Sequence, residues 1–372
     1  MSMAGSEKAT LLLLSGGSLV GQNVVQAIAD RRDDVHLIAT NSTARAPSLL
    51  DFDEVHLLPT TRDHENAVLD RIIDIVRSTR IDLIVPCRDD DVLACARLVE
   101  RAPELRSKTL AGSVETAEAM LDKHESWAFS QKYRLPFAAS VLLDAPDLAE
   151  RLNGPASFPL IVKPRSGFAS HSATIVNDMS QLLGMAPNSE LVAQEFLGDP
   201  ARVTAYMSSV AGGAVPLFHS FEGDKVSIQT VIGPDGEHND IIVTRHVMRS
   251  GVSLNVEIDD AEDAHSLGRT CTAAFADAGW RGPLNIQCLR RPDGSLAIHE
   301  YNGRFTGATA SRLHLGFDEV GTALRVFAGI DLAPSQIGLP RLAIGKQMVT
   351  RSVPQSFETE LKASGHWRRT KP

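Results

Sequence analysis

Cysteine is scarce in this chain of 372 residues. The four cysteines are Cys87, Cys95, Cys271 and Cys288, and they form neither a C-x-x-C pair nor a zinc-binding spacing. This pattern argues against a disulfide framework. It predicts four reduced thiols in a cytoplasmic protein.

Excess positive charge and long apolar runs are also lacking. The formal net charge is -9, so the chain has no broad attraction for nucleic acid, and any groups that bind anions must be concentrated in a site. The early apolar run at 11–14 is too short for a signal peptide, and no stretch approaches the ~20 apolar residues of a membrane span. We therefore expect neither nucleic acid nor a membrane among the partners.

The composition that remains is that of a globular protein. Hydrophobic residues make up 43% and charged residues 22% of the chain, and the length allows two or three domains. We find no internal repeat and no low-complexity linker.

Residues 1–112 alternate short apolar runs with helical patterns. The runs at 10–14, 35–39, 55–58, 81–85 and 109–111 predict strands, and the patterns at 19–29, 68–76 and 91–100 predict helices. Such alternation is typical of a parallel sheet covered on both faces. We predict an N-terminal doubly wound α/β domain.

The pattern changes near Ser113. A helical stretch at 113–135 precedes antiparallel-type strands at 158–163, 173–176, 191–196, 202–210 and 214–221. A helix at 261–278 follows, and then two strands at 284–289 and 296–305. We predict an α+β region over 113–330 and leave 331–372 unassigned.

The last predicted strand pair carries the strongest chemical pattern. Alternation along a strand places Glu300, Asn302 and Arg304 on one face, where they suit a magnesium–phosphate site. A two-residue turn at Asp293 and Gly294 would pair Gln287 with Glu300, whereas a longer turn would shift that register by one. The alternative is an exposed polar face of a sheet.

A second pattern is the apolar strand 158–163, which ends in Lys163 and is followed by a loop of small residues at 165–172. Small residues let backbone N–H groups approach phosphates, and a lysine adds a point charge. A simple hairpin would have the same composition.

Five segments in this order resemble the ATP-grasp enzymes, especially the carbamoyl-phosphate synthetase large subunit and small carboxylate–amine ligases. They are Asp122-Lys123, the Phe158–Pro164 strand with its loop, the segment 192–198, Gln287, and the run from Glu300 to Gly307. The resemblance covers roughly residues 10–330. It implies two α+β subdomains that close on ATP: residues 113–200 as the first lobe with a nucleotide lid, and 201–330 as a core with the metal site.

The resemblance also implies a role for each matched position. Lys123 and Lys163 would contact ATP phosphates, and a loop containing Ser166, Gly167, Ser170 and His171 would cover them. The hinge Gln194, Glu195, Phe196 and Leu197 would hold adenine, and Gln287, Glu300 and Asn302 would hold Mg²⁺ or Mn²⁺. Arg304 would meet the γ-phosphate or the acyl-phosphate, with Lys163 beside it in catalysis.

Two positions depart from the pattern of that family. Gly303 stands where the family usually has proline. The acidic residue expected on the ribose has no clean match, and Asp199 is the nearest acid.

Three further features have alternative interpretations. The glycines at 16–21 suggest a dinucleotide site, but the second strand ends in Thr40-Asn41 rather than in the acid that such a site needs. Arg249 either contacts a substrate carboxylate or phosphate, as in similar proteins, or lies on a solvated strand face. The acids at 89–91 either recognise an amine or begin a helix, and the helix is favoured.

The resemblance therefore implies a ligase that activates a carboxylate as an acyl-phosphate with ATP and magnesium, and then joins it to an amine. The expected partners are small-molecule acid and amine substrates, and a homodimer is expected. The alternatives are another ATP-grasp reaction, such as a carboxylase or a kinase-like enzyme, and a nicotinamide-dependent dehydrogenase.

Overall fold

The chain folds around three β-sheets. The computed structural model describes residues 8–152, 158–167, 173–211, 223, 225–249, 252–337, 344–347 and 349–369. No helix in these ranges is both long and apolar enough to cross a membrane. The four cysteines are free and buried.

The first sheet is parallel through its four N-terminal strands. Its elements are β1 (Ala9–Leu14), α1 (Leu19–Ala27), β2 (Val35–Asn41), β3 (Glu54–Leu57), α2 (Thr61–Ser78), β4 (Leu83–Pro86) and α3 (Asp89–Arg101). The strand order is β3-β2-β1-β4, and β1 is buried along its whole length. The expected strand at 109–111 is reduced to one parallel bridge between Thr109 and Ile84.

The glycines after β1 are explained by packing. A Cβ on Gly16 would lie 2.8 Å from the Cβ of Ala39, and one on Gly17 would lie 2.8 Å from Oδ1 of Asn41. A Cβ on Gly21 would lie 2.1 Å from the carbonyl oxygen of Gly16. The close packing of this loop against β2 and α1 therefore explains the glycines, and no bound ligand is needed to account for them.

The second sheet has four strands in the order β5-β8-β6-β7. Its region contains α4 (Val114–Leu121), α5 (Lys123–Lys132), β5 (Ser140–Leu142), α6 (Leu148–Leu152), β6 (Leu160–Pro164), β7 (Thr174–Val176), α7 (Met179–Leu183), β8 (Leu191–Glu195) and α8 (Pro200–Ala211). The predicted strand at 202–210 is wrong, because α8 occupies these residues. Pro200 begins that helix, a position where the missing N–H of proline costs nothing. The predicted strand at 214–221 lies outside the described residues.

The third sheet is antiparallel and has six strands in the order β13-β12-β9-β10-β11-β14. Its elements are β9 (Lys225–Ile232), β10 (Ile242–Arg249), β11 (Val252–Ile258), α9 (Glu262–Asp277), β12 (Gly282–Arg290), β13 (Leu296–Asn302), α10 (Thr309–His314), α11 (Glu319–Ala323) and β14 (Ile344–Gly345). Helix α9 packs against β9, and Phe275 and Trp280 are fully buried there.

The C-terminal segment returns to the first sheet. It forms α12 (Gln355–Ser364) and β15 (His366–Arg368), and β15 pairs antiparallel with β3. Phe357 and Leu361 of α12 are buried in the same apolar cluster as β1 and β2. The end of the described chain therefore contributes to the core of its N-terminal part.

Candidate functional site

Two backbone contacts bring the second and third sheets together. The segment before β5 runs beside β13, where Ala138 N donates to Ile298 O at 2.7 Å and Ile298 N donates to Pro136 O at 2.9 Å. Arg291, after β12, donates to both carboxylate oxygens of Glu195 at 2.6 and 2.9 Å. The end of β8 is thereby held beside the turn between β12 and β13.

The oxygen-bearing side chains lie on paired positions of β12 and β13. Gln287 is opposite Glu300, and Asn285 is opposite Asn302. The turn between the strands has three residues rather than two, because Arg291 N donates to Ser295 O at 2.8 Å. An extra residue, His299, forms a bulge in β13 and restores the pairing. We call Gln287, Glu300 and Asn302 the oxygen ladder.

The oxygen ladder has the donors that Mg²⁺ prefers. Gln287 Oε1 accepts a hydrogen bond from Lys225 Nζ at 3.0 Å, and Asn302 Oδ1 accepts one from Arg304 Nη2 at 3.0 Å. Within the described residues, no hydrogen bond or ion pair engages the half-buried carboxylate of Glu300. A hard cation therefore fits this set of one carboxylate and two amide oxygens.

Lys163 ends the apolar part of β6, and its ammonium faces the oxygen ladder. Its Nζ donates to Gln194 Oε1 at 2.7 Å. Burial and the nearby ammonium of Lys123 together lower the pKa of Lys163 to about 8, against the opposing effect of the Glu300 carboxylate. Two cations and one anion thus share a partly desolvated space, and the cations outnumber the anion.

Lys123 approaches this space from the first turn of α5. Asp122 caps the helix by accepting from His124 N at 2.8 Å and Glu125 N at 3.2 Å. Lys123 Nζ donates to the carbonyl oxygens of Arg165 and Gly167, both at 3.3 Å. The start of α5 and the residues that follow β6 therefore hold Lys123 close to Lys163.

The segment expected to hold adenine begins with the last two residues of β8. Gln194 is buried and bonds Ser140 Oγ at 3.0 Å, while Glu195 N donates to Ala139 O at 2.8 Å. Leu197 is buried against Ala297. No hydrogen bond among the described residues uses the N–H of Phe196 or Leu197, so both backbone donors are available to a ligand.

Arg304 lies beyond the end of β13, and its guanidinium is bound to the first sheet. Its Nε and Nη2 donate to the two carboxylate oxygens of Asp89 at 2.7 and 3.1 Å. Asp89 is the first residue of α3. The helix interpretation of the acids at 89–91 is therefore confirmed, and sequence reasoning missed that Asp89 is the partner of Arg304.

Several predicted positions are described only in part. Ser166 is exposed, and Gly167 has a φ of 145°. Ser170 and His171 lie outside the described residues. Arg249 is the last residue of β10, and its side chain also lies outside the description.

Sequence reasoning missed three basic residues, of which Lys225 bonds Gln287 of the oxygen ladder. Lys225 begins β9, and Arg312 is fully buried in an ion pair with Glu319 at 2.7 Å. Burial and the charges of Arg312 and Lys225 lower the pKa of Lys346 to about 8. Lys346 belongs to the segment whose sequence pattern was unassigned, so no local signal identified it.

No protein-family model matches the chain, and no curated protein matches it in sequence. Solved structures do match. N5-carboxyaminoimidazole synthetase from Staphylococcus aureus complexed with ADP has a TM-score of 0.65 at 12% identity, over 88% of this chain and 79% of that one. L-amino acid ligase from Bacillus licheniformis has a TM-score of 0.61 at 15% identity, over 87% and 75%.

A third match is the biotin carboxylase domain of the Hydrogenobacter thermophilus 2-oxoglutarate carboxylase, solved with MgADP, ADP and bicarbonate. Its TM-score is 0.59 at 15% identity, over 91% of this chain and 73% of that one. At such low identity the likeness concerns the fold. The chain shares the fold of these structures, in which an N-terminal α/β sheet is followed by an α+β region with two antiparallel sheets, as the resemblance predicted.

Proposed function

We propose that this chain is an ATP- and Mg²⁺-dependent ligase that activates a carboxylate as an acyl-phosphate, joins it to an amine, and releases ADP and phosphate. The observation that carries the proposal is the placement of the Lys163 and Lys123 ammonium groups against the Glu300 carboxylate of the oxygen ladder. A nucleotide polyphosphate with a divalent cation would neutralise this arrangement of charges. Similar folds solved with ADP and with MgADP support the same conclusion.

The nucleotide would lie between β6, β8 and the oxygen ladder. The free N–H groups of Phe196 and Leu197 would bond the adenine edge, with Gln194 and Glu195 holding the segment in place. Lys123 and Lys163 would bond phosphate oxygens, and the loop with Ser166, Gly167, Ser170 and His171 would cover the phosphates. Charge-assisted bonds of this kind are about twice as strong as neutral ones.

The divalent cation would be held by Gln287, Glu300 and Asn302. Bound Mg²⁺ supplies charge neutralisation between phosphate oxygens, and Mn²⁺ would fit the same oxygen donors. The pairing of β12 with β13 places the carboxylate and the amide oxygens on one face of the two strands.

The reaction would proceed in two displacements. A substrate carboxylate oxygen attacks the γ-phosphorus, the bond to the β-phosphate oxygen breaks, and ADP leaves. An amine then attacks the acyl carbon, phosphate leaves with the bonding electrons, and the amine gives up a proton to form an amide. Lys163, Arg304 and Arg249 would stabilise the developing charge.

Asp89 has a defined part in this scheme. Its bidentate pair with Arg304 fixes the guanidinium plane while leaving N–H capacity for an oxygen of the transferred group, because Arg304 Nη1 bonds only the carbonyl oxygen of Phe305 within the described residues. Arg304 would then be a catalytic residue, and Asp89 a positioning residue.

Phosphate release with Mg²⁺-ATP, measured against amino acids singly and in pairs, tests the proposal. We expect ADP and phosphate to appear only when an acid and an amine are both present. Formation of AMP and pyrophosphate would contradict the acyl-phosphate mechanism. Release that depends on bicarbonate would instead identify a carboxylase, the alternative that the third structural match favours.

We further propose the domain limits that the sequence predicted: 1–112 for the N-terminal domain, 113–200 for the first lobe and 201–330 for the core. A homodimer stays a prediction, which sedimentation equilibrium would test. The nicotinamide alternative loses its support, because the glycines on which it rested pack against Ala39, Asn41 and their own loop.

A further inference from the structure

A cluster of ionisable side chains lies on the strand pair farthest along the first sheet from the nucleotide residues. We call Glu54, His56, His366 and Arg368 the Glu54 cluster. In the pairing of β3 with β15, His366 lies opposite His56 and Arg368 opposite Glu54. Residues two apart on a strand share a face, so all four side chains project to the same side.

Two imidazole nitrogens converge on one carboxylate oxygen in this cluster. Nε2 of His56 and Nε2 of His366 each lie 2.9 Å from Oε1 of Glu54. The three atoms lie within 4.8 Å of one another. In a tetrahedral zinc site, with ligands at 2.0–2.1 Å, neighbouring ligand atoms are about 3.3 Å apart. Each nitrogen–oxygen separation would have to lengthen by a few tenths of an ångström, and the two imidazole nitrogens would have to lie about 3.3 Å apart, to hold a metal ion between the three ligands.

The second oxygen of the carboxylate is held separately. Arg368 donates to Glu54 Oε2 from Nη2 at 2.7 Å and from Nε at 3.1 Å. This pair fixes the orientation of the carboxylate and leaves Oε1 to the histidines, as partners behind a ligand commonly do.

Access to the cluster comes from one side. The side chains of Glu54 and His56 are 3% and 10% exposed, whereas that of His366 is 38% exposed. Two ligands are thus held rigidly by a buried strand, and the third lies at an open edge where an ion can enter and a water can complete the coordination.

We propose that Glu54, His56 and His366 form a binding site for a divalent transition-metal ion, with Zn²⁺ as the ion that fits best. Two imidazoles and one carboxylate suit zinc, whereas Mg²⁺ prefers an all-oxygen set. The site is therefore chemically distinct from the oxygen ladder. A bound ion would join β3 to β15 and fasten the C-terminal segment to the first sheet.

The expected affinity is lower than that of a four-ligand structural zinc site. Arg368 places a positive charge beside the ion, and Nδ1 of His56 is buried without a hydrogen-bond partner among the described residues. Both features weaken binding relative to a site with a fourth protein ligand and a complete outer shell.

Zinc titration of the full-length protein, stripped of metal with a chelator, tests this site. Excess Mg²⁺ is present throughout, so that the oxygen ladder is occupied. We expect one equivalent of Zn²⁺ to bind, and the affinity to fall at least about tenfold in His366→Ala and in His366→Gln. His366→Gln retains a donor toward Glu54 and so separates metal ligation from folding. His238→Ala, which removes an exposed histidine in the turn after β9, is the matched control and should bind like the parent.

Two further measurements locate the ion. Co²⁺ in place of Zn²⁺ should give the visible absorption of tetrahedral cobalt in the parent and the His238→Ala protein, but not in His366→Gln. Hydrogen exchange at 366–368 should slow on adding Zn²⁺ only where the absorption appears. Absence of zinc binding in the parent, or equal affinity in His366→Gln and the parent, would overturn the proposal.

Discussion

Lys163 illustrates how one residue gains a defined chemical role from its neighbours. It follows the apolar residues of β6, which places the ammonium in a partly desolvated position beside Lys123. A surface lysine would escape such repulsion by moving into water. Lys163 instead stays bonded to Gln194, so it stores electrostatic repulsion that an anionic ligand would relieve.

Replacement of Lys163 by methionine should therefore impair turnover without unfolding the protein. The variant keeps much of the aliphatic stem but loses one charge-assisted contact to phosphate, so kcat/KM should fall at least about a hundredfold. Steady-state ADP release and an ATP titration measure the effect. Lys362→Met is the control, because Lys362 is an exposed residue of α12 paired with Glu358. Turnover equal to that of the parent in Lys163→Met would contradict the assigned nucleotide site.

Single residues also show where sequence reasoning met its limit. The sequence did not explain why glycine replaces the usual proline at position 303, because the reason is a residue in the connection between α9 and β12. A Cβ on Gly303 would lie 2.6 Å from the indole of Trp280, which is fully buried. Trp280 thus occupies the space that a larger residue would need, and the Asn302-Gly303-Arg304 backbone passes close beneath it.

At the scale of elements, strand periodicity predicted β12 and β13 well, and even the Gln287–Glu300 pairing that a two-residue turn would give. The structure reaches that pairing by another path, with a three-residue turn and a compensating bulge at His299. Turn length and bulge have opposite effects on register, and neither leaves a strong local signal. The pairing agreed with the prediction because the two deviations cancel.

Helix α8 shows the opposite outcome. Its valine, threonine and tyrosine residues have high strand propensity, which produced the wrong strand prediction at 202–210. A helix is favoured by its start at Asp199 and Pro200 and by the alanines among the strand-forming residues. Only Val203 of this helix is buried, so the weak apolar pattern had too little periodicity to decide between the two.

The beginning of α3 provides a pH-dependent prediction. Asp91 is buried at the third helical position, accepts from Arg88 N at 3.1 Å and from Thr61 Oγ1 at 2.9 Å, and thereby ties α3 to α2. Burial raises the pKa of Asp91 from 3.8 to about 6, against the opposing effect of its hydrogen bonds to Ser15 and Thr61. The native state therefore binds this proton more tightly than the unfolded state does.

Protonation of Asp91 therefore stabilises the native state at low pH. The stabilisation from proton binding is complete below pH 3.8 and is lost as the pH rises through about 6. Asp91→Asn lacks it, so the stability of the parent relative to this variant should fall by about 1 kcal/mol between pH 5 and pH 7. Urea denaturation of both proteins at these pH values measures the change. A pH-independent difference would show that the carboxyl titrates normally.

At the scale of the whole molecule, the order of the sheets followed from the sequence, but their connections did not. The Arg304–Asp89 pair joins residues 215 positions apart, and Arg291–Glu195 joins residues 96 apart. Periodicity and motif spacing contain no information on such pairs, because they arise only after the sheets have packed. The site could be predicted as a list of residues, whereas the partners that orient them could not.

The C-terminal segment is the clearest case, because its sequence had no interpretable pattern and its structure completes the first sheet. Leu361 of α12 is fully buried beside Phe357, and Trp367 of β15 contacts the Phe357 ring edge-on, with ring centroids 4.9 Å apart. These residues lie against β3 and far in sequence from every proposed nucleotide contact. Their contribution should therefore be to stability rather than to catalysis.

Leu361→Ala separates those two contributions. Truncating a fully buried leucine leaves a cavity in the cluster shared with β1 and β2, so the free energy of unfolding should fall by about 2–5 kcal/mol. Lys362→Ala, one residue along the same helix but exposed, should change it by less than about 0.5 kcal/mol. Thermal and urea denaturation measure both. Below the melting transition, the KM for ATP of Leu361→Ala should equal that of the parent, since α12 supplies no residue to the oxygen ladder or the hinge. A changed KM with unchanged stability would mean that α12 acts on the nucleotide site and not on the core of the first sheet.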